Sequence, residues 1–253
     1  GHVLKGANIL TTGEIPLGGG LSSSASLETV TAYAMLSCAG HDIDRQQLAL
    51  MCKRAENEFV GVACGIMDQY VISMCGEGEA MMLDCRSLEF KPAPLPGDAQ
   101  VLVVNSGGVH SLREGGLNER RQECERVVSL LRGAGLEIGA LRDVDMAGLD
   151  RNRKLLSEKL YRRTRHVITE IQRVHDAFDA MCDGDPAKLG QLINQSHDSL
   201  RDDYEVSCRE LDLLVDLARD CDGVFGSRMV GAGFGGCTVT LVDRDRAEIV
   251  AST

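Results

Sequence analysis

Mixed helix and strand, in two parts, is the fold class this sequence predicts. Short apolar or alternating segments at 7–15, 79–83, 99–105 and 237–241 stand among longer stretches with helical periodicity. One internal boundary is visible, at Phe90 to Gly97, where Pro92, Pro94 and Pro96 occupy every second position. Two glycine clusters, Gly18–Gly20 and Gly231–Gly236, each adjoin a strand-like segment. With 253 residues and 43% hydrophobic composition, the chain can bury one large core or two small ones.

Residues 7–15 read as a strand entering the first glycine cluster. Ser22 to Ser37 reads as a helix with Leu27, Val30, Ala34 and Leu36 on its apolar stripe, broken by Gly40-His41-Asp42. Asp44 suits the N-cap of the next helix, Arg45 to Val60. A loop, Gly61 to Asp68, then enters an apolar helix, Gln69 to Met74. Glu79–Leu83 and Ala99–Asn105 read as strands, with the proline-rich stretch between them as a connector. Helices follow at Asn118–Arg132, Leu155–Met181, Pro186–Ser196 and Cys208–Asp220, with a loop at His197–Glu205. Arg120, Arg121, Arg162, Arg163 and Arg165 read as solvated or ion-paired helix faces. The second glycine cluster runs into the strand Cys237–Leu241.

A net charge of −11 argues against a nucleic-acid or anionic-membrane surface, which needs basic patches. There is no apolar run long enough to span a bilayer, and Gly1-His2-Val3-Leu4-Lys5-Gly6 has no signal-peptide pattern. The ten cysteines show neither C-x-x-C nor zinc-type spacing, so free thiols in a reducing cytoplasm are expected. With no tryptophan and 4% aromatic residues, a base-stacking platform is not expected.

The chemistry concentrates in Pro16 to Glu28, P-L-G-G-G-L-S-S-S-A-S-L-E. Glycines let the backbone approach a ligand closely, and a helix starting just after them offers free N–H groups and the positive end of its dipole. That combination suits a phosphate, with serine hydroxyls as further donors or as a ligand for Mg²⁺. A serine N-cap on an ordinary helix fits the same residues. Glu56 and Glu58 sit near a helix C-terminus, where the dipole disfavours acids; a solvated pair or an acid facing a metal both account for them. Asp68, near a helix start, fits an N-cap or a general base held ionised.

The serine-rich segment resembles the phosphate-binding motif of the GHMP small-molecule kinases. Gly231-Ala232-Gly233-Phe234-Gly235-Gly236 resembles that superfamily's third motif. Ala55-Glu56-Asn57, Cys64 to Gln69, Asp84 to Leu88, Asn118 to Cys124 and Ser196 to Leu211 are similar to segments of the galactokinase-type branch, so the resemblance runs along nearly the whole chain. It implies an α+β GHMP kinase fold. Residues 1–95 would form a domain like ribosomal protein S5 domain 2, and residues 96–253 a ferredoxin-like domain, with the active site between them. The implied reaction is ATP-dependent phosphorylation of galactose at its anomeric hydroxyl. ATP and Mg²⁺ are the implied cofactors, and the sugar and ATP the implied partners of a monomeric protein.

By the same resemblance Gly18, Gly19, Gly20, Leu21, Ser22, Ser23 and Ser24 would wrap the ATP phosphates. Ser24 and Glu56 would ligate Mg²⁺, and Asp68 would be the general base. Gly65, Asp68, Leu117, Gly231 and Gly233 would contact substrate. Phosphoryl transfer asks for little more than positioning, charge neutralisation and a base.

Three departures stand out. The family's first motif, which carries a phosphoryl-stabilising arginine and the Glu-His and Asp that grip the sugar, has no counterpart downstream of Gly1. The 253 residues alone are therefore expected to be inactive. Leu117 stands where the family usually has a sugar-binding tyrosine, which opens a sister 1-kinase acting on N-acetylgalactosamine, arabinose or a uronic acid. Ala232 replaces a usual glycine, a small change unless that position needs positive φ. A non-enzymatic sugar sensor is the alternative from another class, and the uninterrupted Ser22–Ser26 and Asp68 favour an enzyme.

Overall fold

The computed structural model describes residues 2–15, 20–61, 64–107 and 113–253, which fall into two units, residues 1–95 and 96–253.

The first unit is built on three helices, α1 (Ser23–Ala39), α2 (Arg45–Ala55) and α3 (Met67–Met74). Gly40 ends α1 in the left-handed conformation (φ 80°), which a residue without Cβ adopts at low cost. Asp44 caps α2, its carboxylate accepting from the amides of Gln46 (2.9 Å) and Gln47 (3.0 Å). Leu36, Leu48 and Cys52 are buried between α1 and α2, while Ala49, Ile66 and Tyr70 pack α2 on α3. An antiparallel hairpin of β1 (Glu79–Leu83) and β2 (Phe90–Pro94) lies beside α3, pinned by a hydrogen bond from the Tyr70 hydroxyl to the Leu88 carbonyl (2.8 Å).

Two expectations fail in this unit. Residues 7–15 are exposed and form no strand; among the described residues the sheet of this unit consists of β1 and β2, and 7–15 pair with neither. A strand outside a sheet leaves its backbone groups to water. Conversely, the proline-rich stretch is strand β2. A strand with a single neighbour tolerates Pro92 and Pro94, since the missing donors would face outward.

In the second unit β3 (Ala99–Asn105) leads into α4 (Arg113–Gly133), a short α5 (Met146–Arg151), the long α6 (Glu158–Cys182), α7 (Pro186–Ser199) and α8 (Arg209–Arg219). Strands β4 (Val224–Met229) and β5 (Cys237–Asp243) complete an antiparallel sheet of order β3-β5-β4, followed by α9 (Ala247–Ala251). Gly190 of α7 and Gly226 of β4 let helix and strand meet backbone to backbone. A Cβ on Gly226 would lie 2.1 Å from the Gly190 carbonyl oxygen. One core cluster joins α4, α5 and α6 through Val127, Leu131, Leu149 and Leu160; another gathers Leu200, Val206, Leu211 and Met229.

The segment expected as a loop at 197–205 is helical. A π-helical turn, Leu200–Tyr204, continues α7 and stops at Glu205, which takes a left-handed conformation (φ 53°) without being glycine. The arginines expected as solvated faces divide. Arg121 is exposed, paired with Glu125 at 2.9 Å, whereas Arg120 and Arg163 are buried. Among the described residues no helix is long and apolar enough to cross a membrane, and none of the ten cysteines is in a disulfide.

Candidate functional site

Gly18 and Gly19 lie outside the described residues. From Gly20 (φ 78°) the chain passes Leu21 and reaches Ser22, which is left-handed (φ 57°) and stands at the N-cap of α1. The Ser22 side chain makes no capping hydrogen bond. Among the described residues the first amides of this 17-residue helix, beginning at Ser23, therefore have no capping side chain, and they carry the partial positive charge of the dipole.

The Ser24 hydroxyl donates to the Glu56 carboxylate, at 2.9 Å from Oε2 and 3.2 Å from Oε1. Glu56 begins a π-helical turn, Glu56–Val60, that extends α2 and ends on left-handed Gly61 (φ 85°). The two acids of this turn have opposite fates. Glu58 is exposed and pairs with Arg54 (2.8 Å), while Glu56 is buried. A carboxylate buried at the end of a helix sits against both desolvation and the dipole, and the Ser24 hydroxyl is its one visible hydrogen-bond donor among the described residues.

Glu28, one turn after Ser24, brings Oε1 to 3.5 Å of the same hydroxyl, and its Oε2 is buried without a hydrogen-bond partner. Ser24, Glu28 and Glu56 thus gather hard oxygens around one point. Among the described residues no cluster of three or more Asp, Glu, His or Cys side chains forms a ready-made metal cage. The donor set fits Mg²⁺ nonetheless, since that ion is usually held by one or two protein oxygens and completes its shell with water and phosphate. The sequence motif pointed to Ser24 and Glu56; the i, i+4 spacing that brings Glu28 to Ser24 was visible as well, but nothing singled Glu28 out.

Asp68 is the second residue of α3, half-buried, and Ile66 rather than Asp68 stands at the N-cap. Among the described residues its carboxylate has no hydrogen-bond or ion-pair partner, so it is available to an incoming hydroxyl. Gly65, just before the helix, is exposed, with open space where a Cβ would project. The approach to α3 is held by Asn57, whose Oδ1 accepts from the Cys64 amide at 3.0 Å. No local pattern signals that role, because the partner lies seven residues away.

In the second unit Leu117 is exposed on the first turns of α4. The second glycine cluster links β4 to β5. Gly231 (φ 78°), Gly233 (φ 87°), Gly235 (φ 123°) and Gly236 (φ 94°) all need left-handed freedom. Ala232 does not have positive φ, so its methyl group is accommodated without strain. Gly233 is pressed against the preceding segment: a Cβ there would lie 2.2 Å from the Val206 carbonyl oxygen. Phe234, left-handed at φ 58°, donates its amide to that same oxygen at 2.7 Å. Its ring covers Gly116, where a Cβ would come within 2.4 Å of Cζ.

Two family models match the chain: the GHMP kinases N terminal domain at residues 1–76 and the GHMP kinases C terminal at residues 177–253, together more than half of its length. Galactokinase of Chloroflexus aurantiacus is 46% identical over 245 residues, covering 97% of this chain and 63% of that protein. Human galactokinase is 45% identical, covering 96% of this chain and 61% of that protein. The chain thus spans about three fifths of the length of these relatives. The crystal structure of Lactococcus lactis galactokinase complexed with galactose superimposes with a TM-score of 0.89 at 36% identity, over 95% of this chain and 62% of that one. A mevalonate kinase from L. major matches at TM-score 0.59 and 20% identity, over 91% of this chain and 60% of that one, a likeness of fold alone. On these matches the chain belongs to the GHMP kinase family, with that family's α+β fold.

Proposed function

We propose that the protein transfers the terminal phosphoryl group of ATP to the anomeric hydroxyl of galactose, giving galactose 1-phosphate. The observation that carries the reading is the buried Glu56 carboxylate held by Ser24 at the uncapped start of α1. That arrangement suits a metal-bound polyphosphate, and the similarity to galactokinases supplies the sugar.

In this reading the amides from Gly18 to Ser24 receive the phosphates. Ser24 and Glu56, with Glu28 beside them, would hold Mg²⁺, which when bound neutralises phosphate charge. Asp68 takes the proton of the anomeric hydroxyl, and Gly65 leaves room for the sugar. Leu117, Gly231 and Gly233 serve the sugar and phosphate from the second unit. The units at 1–95 and 96–253 act as the kinase's N- and C-terminal domains. Ten cysteines outside disulfides fit a cytoplasmic setting.

Leu117 favours a second reading within the same chemistry. Its exposed side chain offers no hydroxyl to a sugar, so a related sugar is the alternative acceptor. The test is a panel of galactose, N-acetylgalactosamine, arabinose and galacturonate as acceptors for the whole polypeptide, with wild type and Leu117→Tyr side by side. Preference for galactose in the wild type supports the first reading. A preference that moves to galactose only in Leu117→Tyr supports the second.

A further inference from the structure

We infer that Arg120 and Arg163 are positioning residues for the glycine loop at 231–236, acting through the backbone of residues 202–206. The inference rests on the proposed role of that loop in the reaction.

The turn Leu200–Tyr204 ends a helix, and a helix end leaves carbonyls without intrahelical partners. Here guanidinium groups take them. The carbonyl of Asp202 accepts from Arg162 (3.2 Å), that of Asp203 from Arg163, that of Tyr204 from Arg120 (2.7 Å) and that of Glu205 from Arg120 (3.1 Å). Four successive carbonyls are therefore bound by three arginines, from α4 and α6. Cations at a helix C-terminus also complement its dipole.

The guanidinium groups are themselves fixed. Glu123 accepts from both Arg120 and Arg163 at 3.1 Å, and Glu205 reaches back to Arg162 and Arg163 at 2.5 Å each. Arg163 is fully buried and Arg120 nearly so. Burial pushes the Glu123 carboxyl up, but its bonds to Lys159 and Arg163 outweigh that and hold it below the usual range. The Arg163 bond does the same for Glu205.

The next residue transmits this order. Val206 is 2% exposed, its amide donates to the Leu200 carbonyl (3.1 Å), and its carbonyl receives the Phe234 amide while pressing on Gly233. Arg120 lies four residues after Gly116, the residue under the Phe234 ring. The loop is thus held on one side by a carbonyl whose neighbours the arginines clamp, and on the other by the helix that carries Arg120. Stability alone does not call for this design, since a buried ion cluster is often no better than apolar packing. What the planar fork adds is direction.

Amide exchange by NMR or mass spectrometry on Arg120→Gln, and on the milder Arg163→Lys, tests the mechanical half. Phe234 is expected to exchange about tenfold faster, while Val239 and Leu241 in β5 stay at the wild-type rate. Unchanged exchange at Phe234 in a folded variant overturns the inference. Should Arg120→Gln not fold, Glu205→Gln, at a partly exposed position, removes the carboxylate charge that fixes Arg162 and Arg163 and is read the same way. Kinetics on the whole polypeptide test the rest: kcat is expected to fall with KM for galactose held, since a displaced loop spoils alignment more than binding. Faster exchange with unchanged kcat overturns the positioning role. If Gly233→Ala also leaves kcat unchanged, the assignment of the loop to the site is what has failed.

Discussion

Ser24 and Glu56 stand thirty-two residues apart in sequence and 2.9 Å apart in space, one starting α1 and the other ending α2. Replacing either member asks what the pair is for. Ser24→Ala leaves the buried Glu56 carboxylate without that donor, at about 1–3 kcal/mol of stability. Glu56→Gln keeps the shape and removes the charge. If the pair exists to meet a metal-bound phosphate, Glu56→Gln retains the thermal midpoint of the wild type but loses Mg²⁺-dependent ATP affinity by titration calorimetry. Unchanged affinity would make the pair a structural bond.

Gly233→Ala follows from the loop geometry. A left-handed alanine costs about 1–2 kcal/mol before any clash. The added methyl group would lie 2.2 Å from the Val206 oxygen, a backbone atom that cannot swing away. The hydrogen bond from the Phe234 amide to the Val206 carbonyl should break, which denaturant unfolding and amide exchange both report. Gly135→Ala, left-handed at φ 92° but with open space where a Cβ would project, serves as the comparison for φ alone.

The arginines give a contrast between adjacent residues. Arg163→Met takes one of two arginines from Glu123 and from Glu205 and leaves the Asp203 carbonyl without its donor, and should cost about 1–3 kcal/mol in urea unfolding of the second unit. Arg121→Met, which breaks only an exposed pair, should stay within about 1 kcal/mol.

His166 predicts an acid-side loss of stability. It is buried, stacked on Tyr204 at 4.5 Å between ring centroids, with Nδ1 2.9 Å from the Ser199 hydroxyl. Burial pushes its pKa down to about 4, against the opposing pull of Glu170 and Asp203; Arg173 and Arg228 add to the lowering. The unfolded chain takes up this proton near pH 6.5 and the folded chain near 4. The neutral histidine's contribution is therefore fully present above 6.5 and is lost as pH falls toward 4, on the order of 3 kcal/mol. His197, lowered by burial and by Arg219, adds to the same slope. Urea unfolding of His166→Phe at pH 7 and pH 4.5 should show a smaller difference than the wild type.

Much of this architecture was legible in the sequence, because it rests on local pattern. Asp44 announced a cap, Gly40 a helix stop, and the apolar periodicities of α6 and α8 their helices. What was not legible depended on distant partners. Nothing near Arg120 and Arg121 says that one is buried and the other solvated; that follows from Tyr204 and Glu205, more than eighty residues on. Residues 7–15 have a strand's composition but pair with no strand among the described residues. At the candidate site the sequence pointed to Ser24, Glu56 and Asp68 by motif. It did not show Asn57 bracing the approach to α3 or Glu28 bringing its carboxylate to the Ser24 hydroxyl.

The central proposal is galactose phosphorylation with Asp68 as the base. The most direct measurement is ATP-dependent formation of galactose 1-phosphate by the whole polypeptide and by its Asp68→Asn variant, with folding checked by circular dichroism. Turnover in the wild type and a fall of about 10²–10⁴-fold in kcat for the variant are the predicted results. Full activity in Asp68→Asn, or no galactose 1-phosphate from the folded wild type, would contradict it.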